Sequence, residues 1–243
     1  MERLQKVIAN AGITSRRKAE KLITEGKVTV NGKIVTELGI KVSSSDKIDV
    51  GGTPLTKEEH RYFLFYKPRG IVSTVTDDKG RKVVTDYFID IPERLYPVGR
   101  LDYETSGLLL MTNDGDFANL LMHPRHKITK TYTARLKGIP EKEDLRKLER
   151  GIILEGKKTA KAKVRMRSFD KSKNKAIVTL TIHEGRNRQV RKMFEAIGTP
   201  VQKLVREEYA FLNLHGMNAG ERRELSHHEV KQLKNLAQFG GNK

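Results

Sequence analysis

Apolar positions recur at two different spacings along this chain. Near the start, Leu4, Val7 and Ile8 form a helical stripe, Ala11-Gly12 interrupts it, and Ser15 stands where an N-cap belongs. Ala19, Leu22 and Ile23 give the second helix its inward face, and Gly26 fits its C-cap. The spacing then falls to two. Lys27-Val28-Thr29-Val30-Asn31-Gly32-Lys33-Ile34-Val35 predicts a hairpin turning at Asn-Gly, and Lys47-Ile48-Asp49-Val50 predicts a further short strand. Gly51-Gly52-Thr53-Pro54 and the polar run after it mark a domain boundary near residue 60, giving domains 1–60 and 61–243.

Beyond that boundary strands and helices mix in irregular order. Strands are predicted at 62–66, 71–75, 108–112, 130–136, 161–167, 176–182, 201–205 and 209–214. Helices are predicted at 116–122, 141–150, 188–197 and 226–238, the last with Ser226 as N-cap and Glu229 at the capping-box position. Many strands with few regular βαβ units point to an α+β fold.

Charge changes the picture next. Lys and Arg total 48 against 30 Asp and Glu, a net charge of +18. The excess is concentrated: residues 1–35 hold eight basic residues against three Glu, and residues 157–175 hold nine against Asp170 alone. Strict alternation over 161–167 would put Lys161, Lys163, Arg165 and Arg167 on one strand face, either simply solvated or facing phosphates. With no cysteine, disulfides, thiol catalysis and cysteine metal sites are excluded. No apolar run is long enough to span a bilayer, and the first residues lack the apolar core of a secretion signal. A cytoplasmic protein binding a polyanion is the expectation.

Two segments carry candidate chemistry. In Gly99-Arg100-Leu101-Asp102-Tyr103-Glu104-Thr105-Ser106-Gly107, a polar loop with a carboxylate precedes an apolar strand. Asp102 there suits a nucleophile, a base, a metal ligand, or a loop-closing salt bridge. In Glu184-Gly185-Arg186-Asn187-Arg188-Gln189-Val190-Arg191-Lys192, basic residues gather at a helix start, where anions are favoured. They suit nonspecific RNA binding, or one arginine buried against Asp102. Asn113-Asp114-Gly115-Asp116 reads as a turn and helix cap rather than a metal site, and His227-His228 as an exposed first turn. A glycoside hydrolase would want a second carboxylate across the site, and only Glu104 and Asp114 lie near in sequence.

Residues 99–110, Gly-Arg-Leu-Asp-Tyr-Glu-Thr-Ser-Gly-Leu-Leu-Leu, closely resemble the catalytic-aspartate motif of ribosomal RNA pseudouridine synthases of the RsuA/RluB group. Lys67-Pro68-Arg69-Gly70, Lys130-Thr131-Tyr132 and Glu184-Gly185-Arg186-Asn187-Arg188-Gln189-Val190-Arg191 resemble three further motifs of that family, in its order. Residues 1–50 resemble an S4 RNA-binding module, through Ser15-Arg16-Arg17-Lys18-Ala19-Glu20 and Gly26-Lys27-Val28-Thr29-Val30-Asn31-Gly32.

The resemblance implies an S4-like domain followed by a catalytic domain with a mixed, mainly antiparallel sheet. It implies isomerisation of uridine to pseudouridine in ribosomal RNA, without cofactor or metal; no apolar interface stripe stands out along the chain, so a monomer is expected. The S4 segment and the long C-terminal part tilt the expected substrate to 23S RNA; 16S RNA is the alternative. A non-catalytic assembly factor is the rival class, and it would not need Asp102, Tyr132 and Arg191 together. On the matching positions Asp102 would be the essential carboxylate, acting on the uracil ring, on C1′ or on a ribose proton. Tyr132 would stack on the flipped base, Arg191 would pair with Asp102, and Arg100 would lie beside the flipped nucleotide. Leu204 would wall the pocket, although Glu207-Glu208-Tyr209-Ala210-Phe211 lacks the glycine expected there. Arg3, Lys6, Arg16, Arg17, Lys18, Lys27 and Lys33 are the candidate phosphate contacts of the S4 segment, joined as RNA-binding candidates by Arg186 and Arg188 at the predicted helix start.

Overall fold

The computed structural model describes residues 1–56 and 58–240; Lys57 and residues 241–243, which the predicted second domain takes in, lie outside the described residues. The chain forms two compact units. The first is Met1–Arg61 with Ile91–Arg94 and Asn113–Gly115; the second takes Tyr62–Asp90, Leu95–Thr112 and the chain from Asp116 onward.

The first unit opens with two helices, α1 (Leu4–Asn10) and α2 (Arg16–Thr24). Ser15 caps α2 by accepting from the Lys18 N–H at 3.3 Å. Strands β1 (Val28–Val30) and β2 (Lys33–Val35) make the expected hairpin. Asn31 and Gly32 both take the left-handed conformation (φ 53° and 78°) that a two-residue hairpin turn of this hand requires. Strands β3 (Ile48–Val50) and β4 (Thr53–Pro54) complete a small sheet, so Thr53-Pro54 pairs as a strand where a break was expected. Leu4, Ile8, Ala19, Ile23, Val28, Val42 and Ile48 close over one another as its core.

The second unit is built on one mixed sheet. Its main path runs through β5 (Tyr62–Lys67), β6 (Thr105–Thr112), β7 (Lys130–Lys137), β8 (Lys163–Asp170), β9 (Lys175–Ile182), β10 (Val201–Tyr209) and β11 (Arg222–Glu224), in spatial order β8-β9-β7-β10-β6-β5-β11, with the short strands Tyr96–Pro97 and Leu212–Asn213 attached to β6 and β10. Every neighbour pair in that order is antiparallel except β10 with β6, the parallel seam at the centre. At the seam Gly107 stands opposite Arg206 with φ 123°, and a Cβ there would lie 2.3 Å from the Arg206 carbonyl oxygen. Only glycine permits that approach.

Helices α3 (Gly115–Met122), α4 (Lys142–Arg150), α5 (Gln189–Ala196) and α6 (His227–Phe239) pack around the sheet. Helices α3 and α6 cover β5 and β6 through Phe117, Leu121, Val230, Leu233 and Ala237 against Leu64, Leu108 and Leu110. Helix α4 runs along β8 and α5 along β10, bringing in the buried Leu148, Val190, Met193 and Phe194. Ser226 and Glu229 form the expected reciprocal cap of α6. No helix among the described residues is long and apolar enough to cross a membrane.

Three expectations need correction. Residues 71–75 do not form a strand: Val72 makes a single bridge with Val83, and the Ser73 side chain is taken up by the backbone of Leu101. The β-branched run misleads because its backbone partners lie in a loop. The strand expected at 201–205 runs on to Tyr209, with irregular register at both ends of its pairing with β7, and the one expected at 209–214 shrinks to Leu212–Asn213, which pairs back onto the end of β10. The polar Arg206-Glu207-Glu208 hides its continuity. In β8 the register slips between Met166 and Ser168, so Arg167 leaves the face shared by Lys163 and Arg165, and Lys161 precedes the strand.

Candidate active site

The second unit carries an open-mouthed cavity of about 900 Å³, lined by Arg100, Asp102, Tyr132, Arg191 and Leu204 together with Lys130, Arg206 and Tyr209. Two kinds of structure meet there.

One wall is sheet. Tyr132 of β7 pairs with Arg206 of β10, and Ala134 pairs with Leu204. Alternation along both strands therefore puts Tyr132, Leu204 and Arg206 on one face. All three are buried. Tyr209 donates its hydroxyl to the Leu121 carbonyl at 3.1 Å, and burial pushes that phenol up to about 12. Lys130 donates to the Ile128 carbonyl at 3.1 Å; burial first, then the Arg206 charge, pushes its ammonium down to about 8.

The other wall is the loop carrying Asp102, between the Tyr96–Pro97 bridge and β6. Asp102 is half-buried, and its carbonyl closes a turn by accepting from the Thr105 N–H at 2.9 Å. Side chains from elsewhere fasten this loop by its backbone. Lys67, fully buried, donates to the carbonyls of Pro68 (2.9 Å), Thr105 (2.9 Å) and Asp102 (3.4 Å). Burial lowers its ammonium to about 8, while Asp102 and Glu104 act in the opposite direction. The Ser73 hydroxyl donates to the Leu101 carbonyl at 2.8 Å and accepts from the Leu101 N–H at 3.1 Å. The Gly70 N–H donates to the Tyr103 carbonyl at 2.8 Å.

Arg191 belongs to this set. It donates to the carbonyls of Glu104 (3.1 Å) and Val201 (3.3 Å) and to the Thr105 hydroxyl (3.4 Å). Its guanidinium makes no ion pair with Asp102 within 4.0 Å; the expected pair is replaced by contacts with the Glu104 carbonyl and the Thr105 hydroxyl, two and three residues further along. Asp102 still acts on it at longer range, opposing the lowering of its pKa by burial and by Arg188.

The remaining expected contacts divide. Arg100 and Arg188 are exposed and line the cavity. Arg186 is held back, donating to the carbonyls of Lys157 and Lys158 at 2.9 and 2.5 Å and pairing with Glu184. In the first unit Arg3, Arg16, Arg17, Lys18 and Lys33 are exposed, while Lys6 pairs with Glu2 at 2.7 Å and Lys27 with Glu25 at 2.8 Å. Lys161, Lys163, Arg165 and Arg167 are exposed and line no part of the cavity. Among the described residues no group of three or more His, Asp or Glu could hold a metal ion.

Sequence reasoning assigned no role to Lys67, Ser73, Lys130 or Arg206. One signal was available for Lys67: a lysine that ends the apolar strand run Tyr62-Phe63-Leu64-Phe65-Tyr66 must bury its amine or turn it outward.

The family model for RNA pseudouridylate synthase matches residues 61–196, and the model for the S4 domain matches residues 2–48. The chain belongs to the RNA pseudouridylate synthase family, with an S4 domain at its N-terminus, and isomerises uridine in RNA to pseudouridine. It is 67% identical over 242 residues to ribosomal large subunit pseudouridine synthase B of Bacillus subtilis (strain 168), covering 100% of this chain and 99% of that one. It is 38% identical over 247 residues to ribosomal large subunit pseudouridine synthase B of Yersinia pestis, covering 98% of this chain and 77% of that one. Among solved structures it is similar to a crystal structure of a pseudouridylate synthase, with TM-score 0.69 and 34% identity over 96% of this chain and 100% of that one.

Proposed function

We propose that this enzyme modifies uridine in the 23S RNA of the large ribosomal subunit, in the cytoplasm and as a monomer, with Asp102 as its essential carboxylate. The convergence of Asp102, Tyr132 and Leu204 on one cavity carries the reading. Named relatives act on the large subunit, and one of them matches this chain from end to end.

A uridine stacked in a helix cannot reach Asp102, so the base must be extruded, at a cost of a few kcal/mol. Stacking on an aromatic ring returns about 1–3 kcal/mol, and Tyr132 supplies the ring. Leu204, two residues before Arg206 on the same strand face, gives the base its apolar wall. The N1–C1′ bond breaks, the ring turns, C1′ joins C5, and the proton that leaves C5 is balanced by one gained at N1. Arg191 and Lys67 hold the loop that carries Asp102. Both act through the loop backbone, which makes them positioning residues. Arg100 and Arg188, exposed beside the cavity, meet the phosphates flanking the extruded nucleotide. Arg3, Arg16, Arg17, Lys18 and Lys33 of the S4 domain supply further phosphate contacts.

Mapping pseudouridines in ribosomal RNA from cells with and without the gene tests the substrate. One or a few 23S sites should lose pseudouridine and regain it with the wild-type gene. Loss confined to 16S RNA would refute the large-subunit assignment.

A further inference from the structure

The sheet of the second unit has a reverse side that the isomerisation does not use. Along β7 the side chains of Tyr132, Ala134 and Leu136 are buried, whereas Thr131 and Thr133 are partly open and Arg135 and Lys137 are exposed. Strand β9 repeats the pattern in register: Ala176, Val178, Leu180 and Ile182 are buried, and Lys175, Ile177, Thr179 and Thr181 face the other way.

Cross-strand pairing lines these outward positions up in rows. Lys163, Thr181, Thr131 and Glu208 make one row, and Arg165, Thr179, Thr133 and Val205 the next. Ser168, Ile177, Arg135 and Lys203 follow, then Asp170, Lys175 and Lys137. Neighbouring strands lie about 4.8 Å apart, so four strands offer a platform roughly 15 Å across.

The platform is cationic and its charge is uncommitted. Lys163, Arg165, Arg135, Lys203, Lys175 and Lys137 are all exposed, and none makes an ion pair with a carboxylate among the described residues. Of the two acids in the rows, Asp170 is occupied by Ser172 and Lys173, and Glu208 stands at the far edge. Between the cations lie four threonines with Ile177 and Val205; the Thr131 and Thr181 hydroxyls meet at 3.0 Å, and the Thr133 and Thr179 hydroxyls are buried and have no partner among the described residues. Six exposed cations without carboxylate partners, set around a floor of small and β-branched side chains with no exposed aromatic in the rows, suit a sugar–phosphate backbone better than a protein surface. None of the platform residues lines the cavity.

We propose that this reverse face is a second RNA-docking surface, which grips the backbone of a substrate segment other than the one that delivers uridine to Asp102. It needs RNA as the substrate, which family membership supplies, and it does not depend on which ribosomal subunit the RNA comes from. A short stem-loop fills the cavity side alone; a longer structured RNA wraps to the platform.

The test uses the full-length enzyme and the variant R135Q/K137Q/K175Q/K203Q, whose changes lie outside the cavity. Affinity is measured against salt for a minimal stem-loop substrate and for a fragment of several hundred nucleotides, with single-turnover rates on the stem-loop and thermal melting as controls. Affinity for the long fragment should fall about 10-fold or more, and the slope of log K against log salt should lessen by about 2 to 4, at roughly 0.9 for each phosphate that the variant leaves unneutralised. Stem-loop affinity and single-turnover rate should stay within about 2-fold of wild type, at an unchanged melting temperature. Unchanged affinity and slope on the long fragment would overturn the proposal, as would an equal loss on both RNAs. So would a defect visible only when ribosomal proteins are present, which would make the platform a protein-docking face. Failure of 23S modification in cells with normal stem-loop turnover leaves the catalytic assignment intact, so the two readings fail separately.

Discussion

The two walls of the cavity are rigid for different reasons. Tyr132 and Leu204 sit on adjacent strands whose ladder fixes them, so their placement follows from alternation and register. Asp102 sits on a loop with no ladder, and its backbone is pinned by an ammonium, a hydroxyl and a guanidinium from three other segments. A strand enforces its geometry through many weak, redundant bonds. The loop depends on a few, each made by one side chain to a main-chain oxygen, and those at Leu101 and Thr105 are buried. The reacting group thus rests on the less redundant wall, where single substitutions should act on turnover with the least disturbance of the sheet.

The largest effect should come from the seam that joins the walls. Gly107→Ala pushes a methyl into the Arg206 backbone and should cost ~3 kcal/mol or more, seen in denaturant unfolding. A variant as stable as wild type would show that the seam relaxes freely, and the contrast between the walls would lose its basis.

Lys67→Met should come next, and it acts on the loop alone. It strands three carbonyls and should lower turnover about 100-fold while the sheet still folds. The pH dependence sharpens this. The native value of Lys67, about 8, lies below its ordinary 10.5, so between these values the unfolded chain binds more protons and the stabilising contribution of this residue rises with pH. Wild type should therefore gain stability relative to the methionine variant between pH 8 and 10.5. Over the same range wild-type turnover should fall, because a neutral amine has two N–H donors for three carbonyls. Parallel movement of stability and turnover would break the account of the clamp.

The smallest effect lies at the end of the strand wall. Ala210 turns the chain in the left-handed region (φ 55°), at a turn where the family resemblance leads one to expect glycine. Ala210→Gly should stabilise the protein by about 0.5–1 kcal/mol in thermal or denaturant melts, without altering turnover.

The same contrast explains what was legible in the sequence. Periodicity placed β7, β9 and α6 within a residue or two, because each is long and buries one face. The Asn31-Gly32 hairpin and the Ser15 and Ser226 caps were legible because those residues have few other uses in such positions. Asp102, Tyr132 and Arg191 were found through motifs rather than patterning. The clamp was not legible: nothing in the order of residues says that the Lys67 amine meets carbonyls 35 and 38 positions away. The Arg191–Asp102 pair was expected for the same reason, since a motif names residues without showing that Arg191 reaches the Glu104 carbonyl instead.

The most direct measurement is single-turnover pseudouridine formation by Asp102→Asn, with RNA affinity measured on the same preparation. Because asparagine keeps the shape and leaves the backbone clamp untouched, the rate should drop about 1000-fold or more while affinity stays within a few-fold. A variant that retains a tenth of the wild-type rate would contradict the assignment of Asp102 as the group that drives the chemistry.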